Sequence, residues 1–284
     1  MEASWEERRQ MTRRGLWERL RLSSMKYLAV LRVSANNNLA YLWGVVVRAL
    51  FLIVLIYILG QLWQATFAQH GSLLPGFTIK SMIWYLAATE AMALSMPALT
   101  QRIDQEVRSG ELAYLLGRPC SYILYNYARF VGERCVRLLL NGIVAGLVAL
   151  IIAGPPDFGW QGLLAWPLMI LLASSIEFVC YFAIGLLAFW TENTQSFSFI
   201  FSRLTLVLGG VMAPIDVFPQ PLRSIAQLLP FSTILYGPAR ILVHFESGLF
   251  GMLILQQVIT LAVAGLLLTA FYINATRRVS INGG

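Results

Sequence analysis

Four charged residues lie inside long apolar runs, and any chemistry would have to begin with them: Arg48, Glu90, Glu177 and Arg203. A charge in hydrocarbon costs about 3 kcal/mol or more, so each needs a partner, an aqueous cavity or an ion. Arg48 falls roughly 12 Å into the first run, and Glu90 lies at a similar depth in an antiparallel second run. That spacing predicts an Arg48–Glu90 ion pair, acting as structural glue between two helices rather than as a path for free charge. Glu177 and Arg203 form a weaker pair, because their depths differ by roughly two helical turns. The alternatives are a cavity or a partner subunit for Glu177, and snorkelling to the interface for Arg203.

Little else in the chain could do chemistry. There is no GxxxxGK[ST] phosphate loop, no HExxH and no GxSxG. Cys120, Cys135 and Cys180 are widely spaced, which predicts neither a disulfide framework nor a zinc site. His70 and His244 stand alone in connecting segments. The polar residues do not converge on a nucleophile and a base, so neither catalytic nor metal-binding residues are expected and the chain is not expected to be an enzyme. Aromatics crowd two of the runs, at Phe178, Tyr181, Phe182, Phe189, Trp190, Phe197, Phe199 and Phe201. Lipid contact is the plain reading of these rings, and a substrate cavity the alternative. Trp63, Trp84, Trp160 and Trp166 suit an outer aromatic belt.

The elements that must position these residues follow from hydropathy. Apolar residues make up 58% of the chain and charged ones 12%, too few charges for a soluble domain of this size. Runs of about 18 residues or more can cross a ~30 Å hydrocarbon layer, and there they must be helices. Six spans are expected, near 40–61, 80–100, 136–153, 163–190, 197–213 and 249–273. Residues 1–38 read as an amphipathic helix at the membrane surface, with Trp17, Leu20, Tyr27, Leu28 and Leu31 among the arginines, and not as a cleavable signal. The transmembrane domain then covers 39–274, and 275–284 form a tail. Basic residues gather before the first span, around 101–137 and after the last. With six spans these segments share one side, so both termini are expected in the cytoplasm. The same distribution argues against nucleic acid as a partner. Outside the membrane, about 215–245 should form one or two short helices at the outer leaflet, shaped by Phe218, Pro219 and Pro230.

The segment after the second span carries the functional reading. Asp104, Glu106, Arg108, Gly110 and Glu111 lead into Leu112, Leu115 and Leu116, closed by Arg118 and Pro119. One helix over about 104–116 would present the leucines on a single face. Such a face either docks into a groove of another protein or rests on its own chain, and the pattern leaves both open. Within this stretch the order of Glu106, Arg108, Gly110, Leu112, Leu115, Leu116 and Pro119 after a second span resembles the coupling-helix region of the ABC-2-type transporter permeases. Lys26-Tyr-Leu-Ala-Val-Leu-Arg32 with Leu39-Ala-Tyr41 resembles the approach to the first span in a six-span branch often found as paired permeases. Gly210, Pro214, Phe218, Pro219, Leu229, Pro230 and Pro238 resemble that family's link between the fifth and sixth spans.

The resemblance implies an all-α type V exporter-like membrane domain in a bacterial inner membrane. It implies pairing with a like or unlike permease, an unlike one being slightly favoured. It also implies a separate P-loop ATPase subunit that binds ATP and magnesium, this chain holding no cofactor. Asp104 to Pro119 would then be the ATPase-coupling residues, Phe218, Pro219 and Pro230 an external cap, and membrane lipid the surrounding partner. The alternative is a stand-alone secondary transporter or channel with Glu90 or Glu177 as the ion-linked residue.

Overall fold

The computed structural model describes residues 25–37, 42–70, 77–118 and 120–282, with the backbone alone at 42–46, 48, 70 and 278–282. Every extended regular element among them is helical. After α1 (25–37) come α2 (Leu42–His70), α3 (Ile79–Ala93), α4 (Leu99–Arg108), α5 (Glu111–Leu116) and α6 (Tyr122–Ala153). Then follow α7 (Trp160–Leu186), α8 (Thr194–Leu208), α9 (Gln220–Leu228), α10 (Phe231–Ile234), α11 (Tyr236–Val243) and α12 (Ser247–Asn282). Four helices among the described residues are long and apolar enough to cross a membrane, at Ala49–Gln69, Tyr122–Ala153, Trp160–Phe189 and Ser247–Arg277. Their outward faces expose Leu50, Phe51, Leu147, Ile151, Leu164, Leu266 and Leu267, as lipid contact requires.

The two remaining runs form shorter helices of 15 residues each, α3 and α8. At about 1.5 Å per residue each spans roughly 22 Å. α3 starts with a capping box between Thr78 and Ser81 and is buried along most of its length. It ends early because Pro97 forces the chain out of helix before α4 resumes at Leu99. α8 stops at Gly209–Gly210, where Gly210 takes a φ of 72°. α6 starts fourteen residues earlier than the hydropathy edge at 136 and runs for 32 residues, roughly 48 Å. It therefore projects beyond the hydrocarbon, and the stretch 101–135 between the expected second and third spans is mostly helix.

Packing places these elements around α7. Its neighbours include α4, α11 and α12, while α3 lies against α2 and α6. α1 rests on the charged end of α6, where a Cβ on Gly132 would meet the Leu31 carbonyl oxygen and Tyr27 accepts a hydrogen bond from the Ser121 amide at 3.1 Å. Of the aromatics read as lipid-facing, Phe178 and Phe182 are core residues, 3% and 0% exposed, whereas Phe197 and Phe199 do face outward. Trp63 is likewise buried, donating to the Met212 carbonyl at 3.0 Å instead of joining a belt.

Candidate functional site

The segment expected as one helix over 104–116 is two helices joined by an elbow. Gly110 sits at φ 74° between α4 and α5, a left-handed conformation that would cost another L-residue about 1 kcal/mol or more. Leu112 and Leu115 turn inward, 2% and 7% exposed, into a core cluster with Tyr122, Phe130 and Phe182. Leu116 packs half-buried against the same cluster. The apolar face thus rests on its own chain. The outward side carries Glu111, Ala113 and Tyr114, with Tyr114 68% exposed and the Arg118 guanidinium 4.9 Å above its ring. Pro119 lies outside the described residues.

α4 is braced on three sides. Thr100 donates to the Tyr181 carbonyl at 3.1 Å, and Ile103 fits against Gly185, where a Cβ would come within 2.8 Å of it. Arg102 reaches Glu133 on α6 at 2.6 Å, and Arg129 reaches the same carboxylate at 3.2 Å. Asp104 accepts from Arg108 at 2.8 Å and from the Thr194 hydroxyl at 2.8 Å. Arg108 in turn donates to the carbonyls of Thr191 and Glu192 in the α7–α8 turn. Asp104 and Arg108 therefore tie the elbow to α8 instead of forming a free charged rim. Burial pushes the Asp104 carboxyl up, but the hydrogen bonds from Arg108 and Thr194 outweigh it and hold the group below its ordinary range. Glu106 is shifted the opposite way. Its burial outweighs the hydrogen bond from Tyr122 and the pull of Arg129 and Arg102, leaving its carboxyl raised.

Inside the bundle, Glu177 pairs with Arg134 of α6, at 2.5 Å and with side chains 4% and 3% exposed. This replaces the expected Glu177–Arg203 pair. Arg203 instead lies 4.7 Å over the Phe199 ring and is exposed. The physical reason is reach: α6 begins early enough to bring Arg134 level with Glu177, whereas α8 turns its arginine outward. Arg137 adds a bond to the Met96 carbonyl at 2.9 Å, fastening the α3–α4 turn to α6. The Arg48 side chain lies outside the described residues, and so does its pairing with Glu90. Glu90 itself is 3% exposed and lines a cavity of about 410 Å³ with Glu177, Tyr181 and Arg203.

On the opposite end of the bundle, Asp216 gathers three partners that sequence reasoning did not join. Tyr236 donates to it at 2.8 Å, Arg223 reaches it at 3.3 Å and Arg240 stands 3.9 Å away. An acid flanked by Pro214 and Pro219 in a segment otherwise served by two arginines was the available signal. Pro219 caps α9, Pro230 precedes α10, and Phe218 packs against the core, so all three shape this end. Tyr85 and Thr89 of α3 bond the carbonyls of Gly210 and Val211, linking α3 to the same end through the turn after α8.

A family model described as "ABC-2 family transporter protein" matches residues 52–283. No curated protein matches the chain.

Proposed function

The chain belongs to the ABC-2 family of transporter proteins, and on that premise we propose that it is the permease subunit of an ATP-driven exporter whose α4–α5 elbow receives the motion of a separate ATPase. The observation that carries this reading is the elbow's construction. Its inner leucines fix it to the bundle, its outer face leaves Glu111, Tyr114 and Arg118 free for a partner, and Asp104–Arg108 links it to the α7–α8 turn. A push on α5 would reach α8 through those bonds and α6 through Arg102–Glu133. Aromatic and arginine side chains at the centre of a small exposed face suit a protein contact.

In this reading α3 and α8 complete six spans with the four long helices, both termini lie in the cytoplasm of a bacterial inner membrane, and α9–α11 cap the outer end. A second permease, unlike this one by preference, forms the other half of the pathway. ATP and magnesium are held by the partner ATPase. Phe197, Phe199, Ile200, Leu204 and Val207 on the exposed side of α8 offer apolar surface that a second permease would cover.

Purification in mild detergent, with mass spectrometry of everything that co-elutes, tests the reading. Wild type is expected to bring down a P-loop ATPase, and Tyr114→Asp with Glu111→Lys to lose it while remaining folded. Substitution of Leu115 would not serve, because that side chain is buried and its loss would disturb the fold. An intact wild-type protein with no ATPase, showing nucleotide-independent flux, would favour a stand-alone transporter instead.

A further inference from the structure

The cavity beside Glu90 has features that the elbow does not explain. It lies between α2, α3, α7 and α8, and its walls include Phe51, Leu55, Tyr181, Met96 and Met212. It shares Ala93, Met96, Tyr181 and Ser202 with a larger space of about 830 Å³. That outer space is bordered by Thr100, Gln101, Asn193, Gln195 and Ser196, at the end of the bundle that carries α4 and the elbow, and by Arg137, whose guanidinium is held on the Met96 carbonyl at 2.9 Å. A polar vestibule thus leads from the elbow end into an inner, mainly apolar chamber.

Of the two carboxylates that line the chamber, only one is paired by contact among the described residues. Glu177 is neutralised by Arg134 at 2.5 Å. Glu90 is 97% buried on the 3% exposure of the residue, and among the described residues neither an ion pair nor a hydrogen bond reaches its carboxylate. Arg203 stands at the exposed rim over Phe199 and forms no ion pair within 4.0 Å among the described residues. A buried carboxylate facing a cavity is most stable with a counter-charge inside it. The described residues bring together no group of three or more metal-ligating side chains, so a dehydrated metal ion would be short of donors. Aromatic rings and thioethers, by contrast, suit a large soft cation with apolar substituents. The chamber's size falls within the range of small-molecule pockets.

We propose that this chamber, entered from the elbow end, binds a monovalent organic cation with apolar substituents, whose charge is balanced by Glu90. The inference builds on the permease reading and names the chemical class of its substrate. Loading from the elbow end would place the ligand where an ATPase-driven movement of α4 and α8 could act on it.

The test is equilibrium binding of tritiated tetraphenylphosphonium to the full chain in lipid nanodiscs. Saturable binding is expected in wild type and in Glu90→Asp, and binding about tenfold weaker or worse in Glu90→Gln, through loss of one desolvated charge pair. Arg203→Gln should bind at least as tightly, because a like charge leaves the rim. Tetraphenylborate, of the same size and opposite charge, should not compete. Thermal midpoints of all variants separate lost binding from lost folding, and Glu246→Gln, an exposed change beyond the chamber, serves as control. Equal binding by wild type and a folded Glu90→Gln overturns the proposal. So does an absence of binding in wild type that Arg48→Gln restores, since Arg48 would then be the counter-charge. ATPase capture is scored on the same preparations. Capture without cation binding refutes the chamber inference alone, whereas cation binding without capture refutes the permease reading and leaves the site.

Discussion

Removing one partner from the Arg134–Glu177 pair should cost different amounts depending on which partner goes. Both side chains are almost wholly enclosed, 3% and 4% exposed, and the N···O separation is 2.5 Å. Glu177→Leu leaves a guanidinium that cannot shed its proton, so the full penalty of an uncompensated buried charge applies, about 3–5 kcal/mol. Arg134→Leu leaves a carboxyl that can take up a proton and become neutral, so the expected loss is smaller, about 1–3 kcal/mol. The double leucine variant removes both charges and should lie within about 1 kcal/mol of wild type or above it. Titrating the purified protein with SDS in mixed micelles and following tryptophan fluorescence would rank the four proteins. Two single variants of equal and small cost, or a double variant whose loss is the sum of the two, would refute the reasoning. The first result would mean the pair is hydrated, and the second that the two side chains act independently.

Three further outcomes follow from the same geometry. Glu106 has a folded-state carboxyl raised above its ordinary value, so its contribution is favourable below the unfolded pKa and is lost as pH rises through the folded one. Thermal midpoints measured from acid to neutral pH should fall along that window in wild type, and the fall should flatten in Glu106→Gln. Gly110→Ala, with open space around it but a φ of 74°, should cost about 1 kcal/mol in stability, while Gly110→Asn should cost less because Asn tolerates the left-handed region. Gly132→Ala should detach α1 from α6, because the new Cβ would lie 2.4 Å from the Leu31 backbone oxygen, and faster amide exchange over 25–37 would reveal it.

Hydropathy made the helices legible and their ends much less so. The last span is expected at 249–273 and forms within α12, because a long apolar run has no other way to satisfy its backbone in lipid. The second span is expected at 80–100, yet α3 stops at Ala93, because Pro97 breaks the apolar run as a helix. The leucine periodicity correctly puts Leu112 and Leu115 on one face. It could not say what that face meets, because Tyr122 and Phe182 come from α6 and α7 and are brought there only by tertiary packing. The partner of Glu177 was missed for a related reason. The hydropathy edge at 136 leaves Arg134 outside the span, although it lies roughly 18 Å along a helix that starts at Tyr122. In sequence Glu133 shows only its i,i+4 neighbour Arg129, and Asp216 only its flanking prolines and nearby Arg223; Arg102 and Arg240, which complete the two clusters, come from elements distant along the chain.

The central claim is that the outer face of α5 meets an ATPase. Placing the photo-crosslinking residue benzoylphenylalanine at position 114 in cells, and in parallel at position 151 on the lipid-exposed side of α6, tests it most directly. The account predicts that illumination joins position 114, and not position 151, to a protein carrying a P-loop. A position-114 adduct with only lipid, or with no nucleotide-binding protein while the permease remains intact in the membrane, would contradict it.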